Sequence, residues 1–278
     1  MAVVQWFPGH MAKARNEVQE KLKFVDFVIE VVDARVPLSS RNPMLDKIIG
    51  EKPRLTVLNK ADLVGDLSAW LAVFPAAIAV NSKEQLTAKR ILAAAKQLLA
   101  DKIARNAERG IKNTVLRAMV IGIPNSGKST LLNTLAGKKS ARTGNTPGVT
   151  RAQQWIRSNK ALEVLDTPGI LWPKFEDQTV GLKLALTGAI KDDIVPLDEV
   201  TIFGVDWFAA HYPERLTKLY GLAADRNDIP ESIVQLTEKL GFRDDYGRFY
   251  ARFIHDVRSG KLGKFCLDDL PEEDHGDD

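Results

Sequence analysis

Hydrophobic positions in the first two thirds of the chain occur in short continuous runs, separated by stretches with helical spacing. Residues 24–32 form an almost unbroken run of β-branched and aromatic side chains, which is typical of a strand buried on both faces. Four further runs predict strands, near residues 54–58, 77–81, 117–122 and 161–165. Helical spacing alternates with these runs, near residues 42–50, 86–108 and 128–136. The alternation predicts an α/β fold in which helices cover both faces of a mostly parallel sheet.

The pattern changes beyond residue 177. Residues 178–190 have the spacing of a helix, and so do three later segments, at residues 206–212, 214–220 and 231–240. These segments predict a small α-helical domain over residues 178–278. The α/β domain accordingly takes residues 1–177.

A glycine-rich segment, residues 122–129 (GIPNSGKS), follows the fourth strand run and leads into helical spacing. Such a loop presents backbone amides and the positive end of a helix dipole to phosphate groups. Its lysine reaches the β- and γ-phosphates, and its serine hydroxyl can bind Mg²⁺, which makes Ser129 a predicted Mg²⁺ ligand. The predicted phosphate-binding residues are Asn125, Ser126, Gly127, Lys128, Ser129 and Thr130.

A second element, residues 166–169 (DTPG), closes the strand run that ends at residue 165. An aspartate at a strand end can hold Mg²⁺ through water, and the amide of a glycine three residues later can contact a γ-phosphate. Asp166 is therefore predicted to hold Mg²⁺, and Gly169 is predicted to contact GTP.

The segment between these two elements, residues 144–150 (GNTPGVT), has a composition that excludes a helix. A threonine here can complete the Mg²⁺ shell when GTP is bound and release it afterwards. Thr150 is the preferred candidate and Thr146 the reserve. The alternative is an ordinary loop threonine without a ligand.

A guanine-recognition element is indicated by residues 59–62 (NKAD), at the end of the second strand run. The Asp62 carboxylate can accept two hydrogen bonds from the N1–H and exocyclic amine of guanine, a donor pair that adenine lacks. Lys60 would lie along the base and Asn59 would brace the site. The predicted base-binding residues are Asn59, Lys60, Ala61 and Asp62.

A further polar strand end, Asn81 and Ser82, follows the third strand run. Backbone amides at these two residues can hold the O6 atom of guanine. We therefore include both residues in the predicted GTP site.

The order of these elements is inverted relative to ordinary GTPases, because the guanine element precedes the phosphate loop. Each element nevertheless follows a predicted strand, and the carboxyl ends of parallel strands meet at one edge of a sheet. The order therefore predicts a circularly permuted P-loop GTPase domain, whose site survives permutation because the termini of the ordinary fold lie close together.

Charge and composition narrow the range of possible partners and cellular locations. The chain has 278 residues and a net charge of +3, and its last twelve residues carry −7, so residues 1–266 carry +10. The acidic end predicts a disordered, solvated tail, and the basic remainder favours a polyanionic partner, although a merely soluble basic surface is the alternative. The single cysteine, Cys266, excludes a disulfide framework. An N-terminus without an apolar signal region, and the lack of a membrane-length apolar run, predict a cytoplasmic protein.

Arginines and aromatic residues alternate near the C-terminus, in residues 247–258, and a basic segment follows. Aromatic residues at helical spacing are usually core residues, while the basic residues can line a rim that binds RNA phosphates. The candidate RNA contacts are Arg248, Arg252, Arg258, Lys261 and Lys264.

Together these motifs resemble the ribosome biogenesis GTPase A family. The resemblance extends over nearly the whole chain and is most diagnostic in the N-terminal segment WFPGHMAK combined with the inverted motif order. The other matching segments are residues 33–37 (DARVP), 59–62, 122–129, 145–150, 166–169 and 256–263.

The resemblance implies a mechanism that the motifs alone do not supply. Ras-type GTPases orient the attacking water with a glutamine directly after D-x-x-G, whereas this chain has Ile170, whose hydrocarbon side chain cannot do so. The resemblance implies that His10 is the catalytic group; a surface or RNA-contact role is the alternative. It also implies that Asn125 coordinates a K⁺ ion that bridges the phosphates.

The expected function is that of a GTP-hydrolysing switch, using GTP, Mg²⁺ and K⁺, that binds the rRNA of the maturing large ribosomal subunit and is released on hydrolysis. GTP binding rests on the residues, and the ribosomal target rests on the resemblance. The expected protein is a monomer with no membrane or DNA partner. The alternative is a regulatory GTPase with a protein or membrane partner. A nucleotide kinase is disfavoured, because the sequence shows no second substrate pocket and no lid-like set of arginines.

Overall fold

A computed structural model describes residues 16–137, 155–158, 161–167, 169, 175 and 177–272. Six strands form one sheet in the order β3-β2-β1-β4-β6-β5. All neighbouring strands are parallel except β5, which is antiparallel to β6. The strands are β1 (Phe27–Asp33), β2 (Arg54–Asn59), β3 (Ala77–Val80), β4 (Leu116–Ile121), β5 (Trp155–Ser158) and β6 (Leu162–Asp166).

Helices flank this sheet and then form a separate cluster. The helices between the strands are α1 (Pro43–Ile49), α2 (Ser68–Val73), α3 (Thr87–Leu98), α4 (Ala100–Glu108) and α5 (Lys128–Ala136). The helices after the sheet are α6 (Gln178–Thr187), α7 (Leu197–His211), α8 (Pro213–Tyr220), α9 (Ile229–Lys239) and α10 (Tyr246–Arg258). Short 3₁₀ helices occur at Leu22–Phe24, Ala61–Leu63 and Asp192–Ile194.

Both faces of the sheet are buried, as the continuous apolar runs predict. On one face, side chains from β1, β2, β4 and β6 pack with α3 and α5 around Ile29, Val57 and Val120. On the other face, Val28, Met119 and Leu165 pack with α1 and with helical residues 16–21. Every residue of β1 is buried, which explains its lack of polar alternation.

The register of the strands brings the predicted functional residues to one edge of the sheet. Asp33 at the end of β1 pairs with Asn59 at the end of β2, and Asn59 pairs with Val80 at the end of β3. Asp166 at the end of β6 pairs with Val120, just before the phosphate loop. The parallel register therefore aligns the guanine element with the phosphate loop, although they are far apart in sequence.

The described part of the chain forms two compact units. One spans Lys174–Phe265, and the other combines Trp6–Pro173 with Cys266–Asp278. We call them the helical unit and the α/β unit. The sequence-based division instead assigned all of residues 178–278 to one domain. The difference arises because the chain packs again on the α/β core after Phe265.

Aromatic packing holds the helical unit together. Phe208 on α7 contacts Phe253 on α10 edge-to-face, with ring centroids 6.3 Å apart, and Phe249 and Tyr220 extend the cluster. Phe249 and Phe253 have no exposed surface. The two phenylalanines in the arginine-rich C-terminal segment are therefore core residues, as their helical spacing suggests.

The prediction of a disordered acidic tail is wrong for its first two residues. Leu267 and Asp268 are buried, and the backbone amide of Leu267 donates a hydrogen bond of 2.7 Å to the carbonyl oxygen of Arg35. Cys266 packs beside the apolar cluster around Leu58 and Trp70. We call residues 266–268 the C-terminal clasp.

Other elements differ from prediction in detail. The predicted helix at residues 86–108 is two helices, because Leu99 leaves the helical conformation at φ −110° and ψ 27°. Helix α2 and strand β5 had no predicted counterpart, and both are short. Among the described residues, no helix is long and apolar enough to cross a membrane.

Candidate nucleotide-binding site

The loop after β4 has the conformation of an anion-binding cradle. Gly122 and Gly127 have φ values of 147° and 100°, and Asn125 adopts a left-handed conformation at φ 56°. A Cβ atom at Gly122 would lie 2.4 Å from the carbonyl oxygen of Val31, and one at Gly127 would lie 2.0 Å from Nδ2 of Asn59. Only glycine fits either position. The loop leads directly into α5, whose N-terminus presents its unpaired amides at this edge of the sheet.

Lys128, in the first turn of α5, folds back over the loop. Its ammonium group donates hydrogen bonds of 3.0 and 2.7 Å to the carbonyl oxygens of Gly122 and Ile123. Burial lowers the pKa of Lys128 to about 8, and the negative charge of Asp166 opposes this shift. The ammonium group is thus held inside the phosphate loop by carbonyl groups of the loop itself.

Asp166 places a carboxylate beside this loop whose charge its neighbours compensate only in part. Its Oδ1 atom is buried and accepts no hydrogen bond from the described residues. Burial raises the pKa of Asp166 to about 6, although Lys128 and the backbone amide of Thr167 act to lower it. A buried carboxylate oxygen without a donor is well suited to a cation or a cation-bound water.

Asn59 connects the guanine element to the phosphate loop. Its side-chain amide donates a hydrogen bond of 2.8 Å to the carbonyl oxygen of Ser126. Its side-chain oxygen accepts hydrogen bonds from the backbone amide of Ser82 at 3.1 Å and from the Ser82 hydroxyl at 2.6 Å. One buried side chain therefore joins three of the predicted segments.

Lys60 is fixed by a buried carboxylate that was not among the predicted ligands. Its ammonium group lies 2.7 Å from Oδ2 of Asp33, and the Arg35 guanidinium binds the same carboxylate at 2.7 and 3.0 Å. Burial acts to raise the pKa of Asp33, but Arg35 and Lys60 outweigh it and hold that pKa well below its usual range. Asp33 is therefore charged at every physiological pH, and its position anchors Lys60.

The remaining predicted nucleotide residues surround this core. Ala61 and Asp62 lie in the 3₁₀ turn after β2, and Asp62 is exposed. The carbonyl oxygen of Asn81 accepts a hydrogen bond of 2.7 Å from the Thr87 hydroxyl, which fixes the turn before α3. Three others lie close to the loop: Ser129 and Thr130 in the first turn of α5, and Gly169, where an added Cβ atom would lie 2.8 Å from the backbone nitrogen of Pro124.

GTP with Mg²⁺ fits the residues assembled here. The α5 N-terminus and Lys128 would hold the phosphates, Ser129 and Asp166 would hold the Mg²⁺ ion, and Asp62 would face the base. Bound Mg²⁺ would neutralise charge on the phosphate oxygens. The predicted catalytic His10 and the predicted Mg²⁺ ligand Thr150, with its reserve Thr146, lie outside the described residues.

Several supporting residues were not recognised from the sequence. The Thr134 hydroxyl, on α5, donates a hydrogen bond to the carbonyl oxygen of Ser82, and the Thr167 hydroxyl donates to that of Val120 at 2.6 Å. Asp33 and Arg35 carried a usable signal, because they follow a strand end in the same way as Asn59 and Asp166. The threonines carried none, since their partners are backbone atoms remote in sequence.

The basic residues of the helical unit differ from one another in their contacts. Arg258 is half-buried, and its guanidinium binds the Asp192 carboxylate and the carbonyl oxygens of Ala185 and Leu186, with distances of 2.7 to 3.2 Å. Arg252 and Lys261 both pair with the buried Asp256 carboxylate. Arg248 is exposed and lies 4.3 Å from the centre of the Phe242 ring, and Lys264 is also exposed. Arg258 therefore connects α10 to the end of α6 and to Asp192 within the helical unit.

The two shifted pKa values predict a pH window for nucleotide binding. Below about pH 6 Asp166 takes up a proton and loses the charge that would hold Mg²⁺, and above about pH 8 Lys128 loses its charge. We expect the affinity for Mg²⁺–GDP to be highest between these limits and to fall on both sides. Calorimetric titration of the protein with Mg²⁺–GDP across this range measures the profile.

The matched control for the acidic side is Asp166→Asn. Phosphate groups of the nucleotide themselves titrate near pH ~6, so the informative quantity is the difference between the two proteins. Affinity of the Asn variant should be weaker at neutral pH and should change less as pH falls. Parallel acidic profiles for both proteins would contradict a role for the Asp166 charge.

Comparisons with known proteins agree on one family. Residues 117–234 match the model of the family described as 50S ribosome-binding GTPase. Ribosome biogenesis GTPase A from Bacillus cereus is 51% identical, over 98% of this chain and 95% of that protein. The Priestia megaterium protein of the same name is 48% identical, over 97% and 98%. Mitochondrial ribosome-associated GTPase 1 from Bos taurus is 32% identical, over 96% and 89%.

Solved structures show the same fold. A GDP-bound structure of TM YlqF covers 92% of this chain and all of its own, with a TM-score of 0.61 and 23% identity. GNP-bound YlqF from T. maritima gives a TM-score of 0.60 with 22% identity, over 92% of this chain and 97% of its own. The phosphate loop, the strand-end guanine element and the near full-length relatives lead to the same conclusion: the chain belongs to the ribosome biogenesis GTPase A family and is a GTP-hydrolysing enzyme.

Proposed function

We propose that this protein binds the maturing large ribosomal subunit through its rRNA in the GTP-bound state and leaves the subunit when GTP is hydrolysed. The observation that carries the proposal is the match of residues 117–234, which begin just before the phosphate loop, to a family described as 50S ribosome-binding GTPase. The charge of +10 on residues 1–266 also favours a polyanionic partner. In this proposal the protein acts as a monomer in the cytoplasm.

Guanine recognition by Asp62 is supported by the arrangement of its neighbours. Asn59 is held by Ser82 and Ser126, and Lys60 is held by Asp33, so the backbone on the N-terminal side of Asp62 is fixed at two successive residues. A prearranged site loses less entropy on binding. The exposed carboxylate of Asp62 would then accept the paired donors of guanine.

Hydrolysis in this proposal uses two groups beyond the nucleotide site. His10 would orient the attacking water, which Ile170 cannot do. Asn125, held in a left-handed conformation within the phosphate loop, would bind a K⁺ ion that offsets developing charge on the phosphates. Both groups would act mainly on the transition state. Intrinsic turnover would be slow, and a ribosomal particle would accelerate it.

The RNA contacts would come from the helical unit. Arg248 and Lys264 are exposed, and Arg252 and Lys261 keep about half of their side chains exposed although both pair with Asp256. We propose these four residues as phosphate contacts. Arg258 is left out of the set, because its guanidinium is already bound by Asp192 and two carbonyl groups.

Replacing Asp62 by Asn tests the base site. The amide would place a donor against the exocyclic amine of guanine, so the affinity for GTP should fall by about 10²-fold, because one hydrogen bond is lost and the other no longer has a charged acceptor. Affinity for XTP should rise, because xanthine offers an acceptor there. Competition binding measures both values. Asp101→Asn, in the first turn of α4, is the control and should bind GTP normally; unchanged GTP affinity in the Asp62 variant would contradict the assignment.

Exchanging K⁺ for Na⁺ tests the proposed cation. The rate of GTP hydrolysis should fall several-fold more than the affinity for GTP, because the ion acts on charge that develops in the transition state. Single-turnover hydrolysis and nucleotide titration in the two salts give both quantities. An Asn125→Ala variant should show little difference between the salts. Equal rates for the parent protein in K⁺ and Na⁺ would remove the assignment.

Cosedimentation with purified large subunits tests the proposed function and His10 together. The protein should pellet with subunits in the presence of a non-hydrolysable GTP analogue and stay in the supernatant with GDP, in a salt-sensitive manner. His10→Ala should bind GTP normally, lower kcat by about 10²-fold, and remain on subunits after GTP is added.

Two results would contradict this scheme. Pelleting with subunits in neither nucleotide state would favour the alternative GTPase with a protein or membrane partner. Undiminished subunit-stimulated hydrolysis by His10→Ala would assign the catalytic group to rRNA or to another loop. Reversing the charge of Lys264 should weaken pelleting without changing GTP affinity, which separates RNA contact from nucleotide binding.

A further inference from the structure

We propose that Asp268 in the C-terminal clasp is a positioning residue for guanine recognition, acting through the loop that follows β1. The inference rests on the proposed base site at residues 59–62. It assigns to the end of the chain a role in selecting the nucleotide.

The clasp binds this loop through both oxygens of the Asp268 carboxylate. Oδ2 of Asp268 accepts hydrogen bonds from the backbone amides of Leu38 and Ser39 at 2.9 and 2.8 Å. Oδ1 accepts one from the Ser39 hydroxyl at 2.6 Å. The neighbouring amide of Leu267 donates to the carbonyl oxygen of Arg35. Four hydrogen bonds thus connect the clasp to residues more than 200 positions earlier in the chain.

The same loop carries the residues that hold Lys60. Arg35 binds the Asp33 carboxylate through two nitrogens, and that carboxylate accepts the hydrogen bond from Lys60. The Ser40 hydroxyl in turn accepts a hydrogen bond of 3.0 Å from the backbone amide of Asp33. The path from Asp268 to the guanine element therefore runs through hydrogen bonds and one step along the chain. Asp268 binds Ser39, the next residue Ser40 binds Asp33, and Asp33 binds Lys60.

Burial makes each contact on this path costly to lose. Arg35, Asp33, Ser39, Ser40 and Asp268 are all less than 9% exposed. In such surroundings a backbone amide without an acceptor is strongly unfavourable, so loss of the clasp would destabilise this conformation of the loop. Displacement of the clasp would free the loop, and Asp33 would no longer be fixed under Lys60.

The phosphate end of the site does not depend on this path. Lys128 is held by carbonyl groups of its own loop, and Asn59 holds the Ser126 carbonyl directly. The clasp should therefore affect the binding of the base and leave the binding of phosphate nearly unchanged. This difference distinguishes positioning from general destabilisation.

The test uses Asp268→Asn in the full-length protein, with GDP, IDP and Mg²⁺–tripolyphosphate as probes. The amide keeps one acceptor oxygen, which can still face the Leu38 and Ser39 amides, but it removes the negative charge that strengthens these hydrogen bonds and turns the other oxygen into a donor toward the Ser39 hydroxyl. We expect GDP affinity to fall by about tenfold, within the usual range of coupling between linked sites. The preference for GDP over IDP, which lacks the exocyclic amine, should shrink, while tripolyphosphate affinity should stay within about twofold.

Two further variants keep the test decisive. Asp269→Asn makes the same charge change at the exposed neighbouring residue and should leave every affinity unchanged. Ser39→Ala removes one of the three hydrogen bonds to Asp268 and keeps the carboxylate, so it should give a smaller loss in the same direction even if Asp268→Asn folds poorly. A variant that loses GDP and tripolyphosphate affinity equally, or that keeps its preference for GDP over IDP, would overturn the proposal.

Hydrogen exchange provides an independent measurement. Coupling is reciprocal, so GDP should slow exchange of the Leu38 and Ser39 amides more than exchange of amides in α10. Equal protection with and without GDP would overturn the inference. The Asp62→Asn variant separates the two assignments: if it loses its preference for guanine while Asp268→Asn keeps its own, the base site stands and the clasp role is wrong. If Asp62→Asn keeps its preference, the base site fails and the inference fails with it.

Discussion

The buried amide of Asn59 is the contact on which the nucleotide site depends. It donates to the Ser126 carbonyl in the phosphate loop and accepts from the backbone and hydroxyl of Ser82. A carboxylate of the same shape would repel the Ser126 carbonyl, and an apolar residue would leave three buried polar groups without partners. The position also excludes a side chain at Gly127, where a Cβ atom would lie 2.0 Å from Nδ2. Base recognition and phosphate binding therefore share one rigid connection.

The inverted order of the motifs follows from how the sheet is assembled. Strands β1 to β3 carry the guanine element, strands β4 to β6 carry the phosphate elements, and the two halves meet along the parallel pair β1 and β4. Each half is continuous in sequence, so their order along the chain can be exchanged without changing the edge where the strands end. Either order requires a contact between the two halves, and the hydrogen bond from Asn59 to the Ser126 carbonyl supplies it.

The sequence was sufficient for the parts of the fold that depend on local pattern. The buried run of β1 and the loop at residues 122–129 could be located because each has a strong signal of its own. The C-terminal clasp could not, because an acidic segment after a helical region looks like a solvated tail, and the acceptors it satisfies lie in a loop more than 200 residues away. The role of Arg258 could not be predicted either, because its partners are also remote in sequence. Its charge suggested an exposed RNA contact, whereas its guanidinium binds Asp192 and two backbone carbonyl groups.

Two carboxylates at the same edge of the sheet acquire opposite properties from their surroundings. Asp33 is bound by Arg35 and Lys60, which hold its pKa well below the usual range despite its burial, so it stays charged and serves as a fixed anchor. Asp166 is buried, its Oδ1 atom accepts no hydrogen bond within the described part of the chain, and burial raises its pKa to about 6, so a cation beside it would stabilise its charge. Since the pairing of a carboxylate sets its role, the side of the site that handles the base is electrostatically complete in the protein alone. In the proposed site the phosphate side would become complete only with Mg²⁺ and the nucleotide, and it would therefore be the side that responds to hydrolysis.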